Sequence, residues 1–102
     1  MKETPVSARM QLGFSIPITD VGGDPSTMKT IAQTAEGLGY DYLGAADHVL
    51  GANAASRPDW GARNTSADCF HDPFVLFSYL ASCTDKIGFS TEVMIIAQRQ
   101  AA

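Results

Sequence analysis

The chain has 102 residues, of which 45% are hydrophobic and 18% charged, and its formal net charge is −4. This balance is that of an ordinary globular protein, which excludes disorder throughout, and the length limits it to one domain or a piece of one. The basic residues are scattered without a stripe, so we expect no nucleic-acid partner. Residues 1–12 contain no secretory apolar region, and the longest apolar run, 93–97, is too short to span a membrane. These features, with two cysteines that match no metal or redox motif, predict a cytoplasmic protein with free thiols.

The first half of the chain predicts a strand followed by a helix. Segment 12–18 alternates apolar with small or polar residues, which predicts a strand that ends near Pro17, and 19–23 predicts a loop. Asp24 followed by Pro25 predicts a helix start, because a capping carboxylate precedes a proline at the first helical position. Apolar residues then recur on one helical face: Met28, Ile31, Ala32, Ala35 and Leu38.

The second half repeats this order around a long irregular stretch. Residues 40–46 are short, aromatic and apolar, which predicts a strand buried on both faces of a parallel sheet. Stretch 49–70 predicts a long loop of the kind that often serves as a functional lid. The pair that begins at Asp72 predicts a second Asp-Pro helix start, and 87–93 predicts a third strand, with a continuation through Ile96 left open. The apolar face of the second helix comprises Val75, Leu76, Tyr79, Leu80 and Cys83.

Two consecutive strand–helix–strand units predict parallel strands with right-handed crossovers. The predicted fold class is therefore α/β, as the first three βα-type units of a (β/α)8 TIM barrel. Such a barrel takes roughly 250 residues, so we expect residues 1–102 to be a truncated amino-terminal fragment, with 1–10 as a polar leader. Three strands alone leave exposed strand edges, which favour pairing with another chain.

The pair Asp47-His48 is the main candidate for chemistry. It lies at the carboxyl end of the second predicted strand, which is where parallel α/β folds bind ligands. His48 can exchange a proton near neutral pH, and Asp47 would face the other side of a regular strand. The alternative is that Asp47 caps the following turn and His48 is a buried, satisfied histidine.

A metal site is a minor alternative at the same edge. Asp47, His48 and His71 together offer the imidazole and carboxylate ligands that suit zinc, iron or manganese. Asp72 is better explained as the cap before Pro73, so we predict no metal ligands.

Several short segments, taken in order and with their spacing, form a recognisable pattern. They are GFSIP at 13–17, AEGLGYDYL at 35–43, ADHVL at 46–50, DPF at 72–74, LA at 80–81, TDKI at 84–87, STEV at 90–93 and QRQ at 98–100. The pattern resembles that of the bacterial luciferase-like monooxygenases, a family of flavin- or deazaflavin-dependent oxidoreductases. It covers nearly the whole chain apart from the leader and the loop at 51–70.

The resemblance implies a TIM barrel that binds FMN or the deazaflavin coenzyme F(420). The Asp-His pair is most similar to the deazaflavin branch, where the residue matching His48 lies beside the ring and handles a proton. The family often has a non-proline cis peptide in a bulge at the end of its third strand, and the bond between Glu92 and Val93 occupies that place. The implied cofactor-binding residues are Asp47, His48, Thr91, Glu92 and Val93. A small residue is common where Glu92 stands, so its carboxylate departs from the pattern.

The sequence thus predicts an oxidoreductase that uses FMN or F(420) for hydride transfer or monooxygenation of a small-molecule substrate, with His48 as the catalytic residue. The isolated fragment is expected to lack activity and to form a homo-oligomer, without a membrane or nucleic-acid partner. A second hypothesis is a non-catalytic barrel fragment that self-associates through its open strand edges. The pattern leaves open the substrate, FMN versus F(420), and monooxygenase versus dehydrogenase or reductase chemistry.

Overall fold

A computed structural model describes residues 9–47, 51–61 and 65–99. The strands in these residues are β1 (Gly13–Ser15), β2 (Tyr42–Ala46) and β3 (Gly88–Val93). They make one sheet in the order β1-β2-β3, and both neighbouring pairs are parallel. The predicted α/β class with parallel strands is confirmed, whereas the complete eight-unit barrel and the domain bounds stay predictions.

Helices connect and flank the strands. They are α1 (Ile18–Val21), α2 (Pro25–Gly37) and α3 (Pro73–Ala81). Two short 3-10 turns lie at Ala54–Ser56, in the predicted long loop, and at Ile96–Gln98, after β3. In the part of the chain that the structure describes, no helix is long and apolar enough to cross a membrane.

Both predicted Asp-Pro helix starts are confirmed. The Asp24 side chain accepts a hydrogen bond from the Ser26 backbone N–H, at 3.2 Å, where α2 begins. The Asp72 side chain accepts from the backbone N–H groups of Phe74 and Val75, at 2.9 and 3.2 Å, where α3 begins. Each carboxylate therefore satisfies donors that the first helical turn leaves without a partner.

The first strand is shorter than its pattern predicts, whereas the third ends at Val93 as predicted. The predicted strand over 12–18 is wrong beyond Ser15, because the Ile18 N–H bonds to the Ile16 carbonyl and the chain turns into α1. A continuation of the third strand through Ile96 is also wrong, since the chain turns there. Alternation alone does not reveal where a local backbone turn replaces the ladder.

The core lies between one face of the sheet and the helices. Its buried residues are Ile16, Ile18, Met28, Ala32, Ala35, Leu43, Ala45, Leu76, Leu80 and Ile87. The two predicted helical faces are only partly buried, because Leu38, Val75 and Tyr79 are 73%, 71% and 38% exposed. These three side chains lie outside the core and are not covered by its residues.

The opposite face of the sheet, which we call the open face, is made mostly of small residues. The prediction that β2 is buried on both faces holds only for its middle, since Gly44 is buried on this side but Tyr42 and Ala46 are exposed. The Tyr42 ring covers Gly13, where a Cβ atom would lie 2.7 Å from the ring carbon Cδ2. By strand alternation and register, the open face comprises Gly13, Ser15, Tyr42, Gly44, Ala46, Gly88, Ser90, Glu92 and Val93.

Candidate functional site

The ends of β2 and β3 meet at an irregularity in their pairing. Ala45 pairs with Thr91, but Ala46 pairs with Val93, so one extra residue, Glu92, is inserted into β3. This is a β-bulge, which re-aims the side chains that follow it. The bulge implied by the resemblance is confirmed. The implied cis peptide is wrong, because none of the peptide bonds that the structure describes is cis.

The bulge changes which side chains reach the open face at its carboxyl end. Val93 aligns with the exposed Ala46 and is itself 63% exposed. The Glu92 side chain lies across Gly44, where a Cβ atom would come within 2.9 Å of the Glu92 carbons Cγ and Cδ. The carboxyl end of the open face therefore combines small side chains with one carboxylate.

Asp47 lies directly after β2 and is only 2% exposed. It continues the alternation of Leu43 and Ala45, whose side chains face the helices rather than the open face. Its backbone N–H donates to the Val93 carbonyl at 3.2 Å, and its Oδ2 atom accepts from the Ile95 N–H at 3.0 Å. Asp47 thus binds β3 on both sides of the point where that strand ends.

Arg99 supplies the positive charge that faces this buried carboxylate. Its Nε and Nη2 atoms donate to Oδ2 and Oδ1 of Asp47 at 3.0 and 2.7 Å, a two-pronged pair. Its Nη1 atom donates to Oδ2 of Asp72 at 2.8 Å. The guanidinium carbon lies 5.2 Å from the ring centroid of Phe74, which adds a cation–π contact. We call Asp47, Asp72 and Arg99 the carboxyl-edge cluster.

The charges of the cluster shift its ionisation in the directions expected for ion pairs. Hydrogen bonding to Asp47, followed by that to Asp72, raises the pKa of Arg99 despite partial burial. For Asp72, burial acts upward on the pKa, but the Val75 N–H, Arg99 and the Phe74 N–H together lower it. Both groups stay charged at neutral pH.

The structure brings four of the predicted site residues to one edge. Asp47, Thr91, Glu92 and Val93 all lie where β2 and β3 end, although only Glu92 and Val93 reach the open face. Thr91 aligns with Ala45 on the helix side. His48 lies outside the described residues. That these five residues bind a coenzyme, and that His48 is catalytic, stay predictions.

The surroundings of His71 favour a structural role. Its Nε2 atom lies 3.4 Å from the Gly22 carbonyl oxygen, and the adjacent Asp72 caps α3 and pairs with Arg99. Within the described ranges, no group of three or more His, Cys, Asp and Glu residues is arranged to hold a metal ion. The metal-dependent alternative also uses His48, which lies outside those ranges, so it stays a prediction.

The irregular loop approaches the same edge. Residues of 51–61 line a cavity of about 410 Å³ together with Gln98, the neighbour of Arg99. In this loop, the guanidinium of Arg57 lies 5.7 Å from the ring centroid of Trp60, which is 44% exposed. The aromatic side chain of Trp60 therefore lines the same cavity as Gln98.

The residues at the edge fit a flat coenzyme ring in one respect. Ala46 is exposed on the open face and has a small side chain, so a planar group can approach the end of β2 there, whereas Gly44 is covered by the Glu92 side chain. Glu92 borders that surface with an acceptor-only carboxylate when ionised. The carboxyl-edge cluster lies behind it, on the helix side.

Sequence reasoning missed the role of Arg99. Its segment was part of the family pattern, yet its partner Asp47 is 52 residues away, and no local spacing indicates such a pair. The available signal was that Arg99, a basic residue, follows the third predicted strand, while the acidic Asp47 and Asp72 lie at a strand end and at a helix cap.

Comparison with known proteins gives one match. The model of the family described as luciferase-like monooxygenase matches residues 10–102. No curated protein matches the chain, and no solved structure does.

Proposed function

This chain belongs to the luciferase-like monooxygenase family, and from that premise we propose that its carboxyl edge forms part of a site for FMN or F(420). Members of the family are oxidoreductases that generally use a reduced flavin or F(420). When bound, the coenzyme supplies the hydride or reacts with oxygen, and the protein supplies orientation and proton transfer.

The observation that supports this proposal most is the family match combined with the bulge at the end of β3. The bulge lies beside the end of β2, the edge of a parallel sheet at which ligands bind. It places Val93 beside the small, exposed Ala46 and the Glu92 side chain across Gly44, all on the open face. This surface is the proposed contact for the coenzyme ring.

We assign proton handling to His48, which directly follows the buried Asp47 in the sequence. An imidazole has an ordinary pKa of about 6.5, so it gives or takes a proton at working pH without a large shift. Of the two coenzymes we favour F(420), because the Asp-His pair is most similar to the deazaflavin branch. The substrate is proposed to be a small molecule, held in part by strand-end loops such as the one that contains Trp60.

Titration of the intact protein with reduced FMN and with F(420) tests the proposal. We expect saturable binding of one coenzyme and turnover that falls roughly 100-fold or more in His48→Ala, the usual range for loss of a general acid or base. His71→Ala is the matched control, because His71 contacts the Gly22 carbonyl instead, and it should retain turnover. Failure to bind either coenzyme, or equal turnover in His48→Ala and the wild type, would refute the assignment.

A further inference from the structure

Arg99 joins three parts of the fold at one edge of the sheet. Arg99 is hydrogen-bonded to Asp47, which follows β2, and to Asp72, which caps α3. Asp47 in turn accepts a hydrogen bond from the N–H of Ile95, which follows β3. These contacts use the Nε, Nη1 and Nη2 atoms of the guanidinium and both oxygens of Asp47. The cluster therefore fixes the relative positions of two strand ends and one helix start.

This fixation occurs where the pairing of β2 and β3 ends. Beyond the bulge, the regular ladder between β2 and β3 is interrupted, and the chain leaves the strand after Val93. The bonds from the Asp47 N–H to Val93 and from the Ile95 N–H to Asp47 continue the connection past that point. The position of the open face at Ala46 and Val93 thus depends on the Asp47 carboxylate.

The burial of the pair argues for a role in geometry. The Asp47 side chain is 1% exposed and that of Arg99 is 20% exposed, so both charges are largely removed from water. Buried ion pairs are often no more stabilising than apolar residues of similar volume, and where they persist they can specify one arrangement. The planar guanidinium group of arginine donates two parallel hydrogen bonds to one carboxylate, which the ammonium group of lysine cannot do.

We propose that Arg99 is a positioning residue of the coenzyme site, which acts through Asp47 and does not itself touch the coenzyme. It holds the Asp47 carboxylate against the Ile95 N–H, and this keeps Ala46 and Val93 in register at the open face. The effect on coenzyme binding rests on the proposed function, but the anchoring of Asp47 by Arg99 does not depend on any coenzyme. Asp47 is accordingly an anchor that Arg99 orients rather than a direct coenzyme ligand.

The structural part is tested by amide hydrogen exchange in the intact protein. In Arg99→Ala we expect faster exchange at the Ile95 amide, with protection partly restored by added guanidinium ion. Arg99→Lys, which keeps the charge and is the safer variant for folding, should also lose protection because it lacks the fork. Arg9→Ala is the matched control, because Arg9 forms an ion pair of 2.7 Å with Asp41, which lies at the amino end of β2, away from Ile95. Unchanged Ile95 protection in both Arg99 variants would overturn the proposal.

The functional part is tested by coenzyme affinity in the same variants. Arg99→Ala should raise the coenzyme Kd by roughly tenfold, because binding must then also restore the arrangement of the two strand ends. In an Asp47→Asn background the same substitution should have little further effect, because Arg99 acts through Asp47. Fully additive effects would overturn the mechanism. If the wild type binds neither coenzyme while the Ile95 amide still responds, the proposed function fails and the positioning role stands.

Discussion

Glu36 shows how one side chain fixes a distant backbone segment. Its Oε2 atom accepts hydrogen bonds from the backbone N–H groups of Asp85, Lys86 and Ile87, at 2.8, 2.7 and 3.0 Å. These residues connect α3 to β3, so a carboxylate near the end of α2 holds the start of the third strand. The helical pattern predicts only that Glu36 points away from the apolar face, and its role emerges from partners some 50 residues away.

These bonds make stability depend on pH in a definite direction. The N–H groups of Lys86, Ile87 and Asp85 lower the pKa of Glu36 below its ordinary value of 4.5. A lowered folded-state pKa gives stability that is fully present above the unfolded pKa and is lost as pH falls through the folded one. Glu36→Gln should therefore lower the urea midpoint at neutral pH, and its difference from the wild type should shrink as the medium becomes acidic.

Glu92→Gln is the control for this measurement, because it makes the same chemical change on the open face of the sheet. We expect it to leave the neutral-pH midpoint nearly unchanged. A midpoint for Glu36→Gln that equals the wild type at neutral pH would contradict the role assigned to Glu36.

At the residue scale, the sequence indicated which single residues are important, but it did not indicate which distant residues contact each other. The two capping aspartates were predicted because a cap and its helix are adjacent in sequence, and both are confirmed. Asp47 was selected because a charge at the end of an apolar strand is unusual. Its partner Arg99 could not be predicted, since only the folded chain brings residues 52 positions apart together.

At the scale of elements, the irregular loop depends on a close backbone approach. Gly51 lies against the backbone of Thr65, whose neighbour Ser66 donates its N–H to the Ala52 carbonyl at 2.7 Å. A Cβ atom at Gly51 would collide with the Thr65 carbonyl and lie 2.8 Å from the Ser66 nitrogen. The two sides of the loop therefore meet only because position 51 has no side chain.

Two glycine substitutions separate this effect from general glycine behaviour. Gly51→Ala should destabilise the protein by roughly 1–3 kcal/mol, as overpacking usually does. Gly37→Ala, in the last turn of α2 with no atom within 4 Å of the added Cβ, should stabilise it by roughly 0.5–1 kcal/mol. Urea denaturation measures both. A Gly51→Ala variant as stable as Gly37→Ala would show that the loop does not need this contact.

Element boundaries were predicted unevenly for a physical reason. The helix starts carry their own side-chain caps, and Gly39 has the positive φ of 90° expected just after a helix. The end of β1 lacks such a local signal, because a backbone turn at Ile18 competes with the ladder, whereas β3 ends at Val93 as its pattern predicts. The bulge was predicted from the family resemblance and not from alternation, which cannot register one inserted residue.

At the scale of the whole molecule, the described sheet ends in β1 on one side and β3 on the other. Near β1, Leu12 and Leu38 are 57% and 73% exposed, so apolar surface borders an open strand edge. Such edges favour pairing, either with further barrel strands or with a second copy. The predicted homo-oligomer and the non-catalytic, self-associating fragment both remain predictions. Light scattering of the 102-residue chain distinguishes association from a monomer.

The central claim is that the carboxyl edge of this sheet binds the coenzyme, and an NMR titration of the labelled intact protein with F(420) or FMN tests it most directly. We predict that the amide signals of Ala46, Asp47, Glu92 and Val93 shift on binding, whereas those of Asp41 and Gly88, at the opposite edge, stay in place. Shifts confined to Asp41 and Gly88, or no shifts with either coenzyme, would contradict the account.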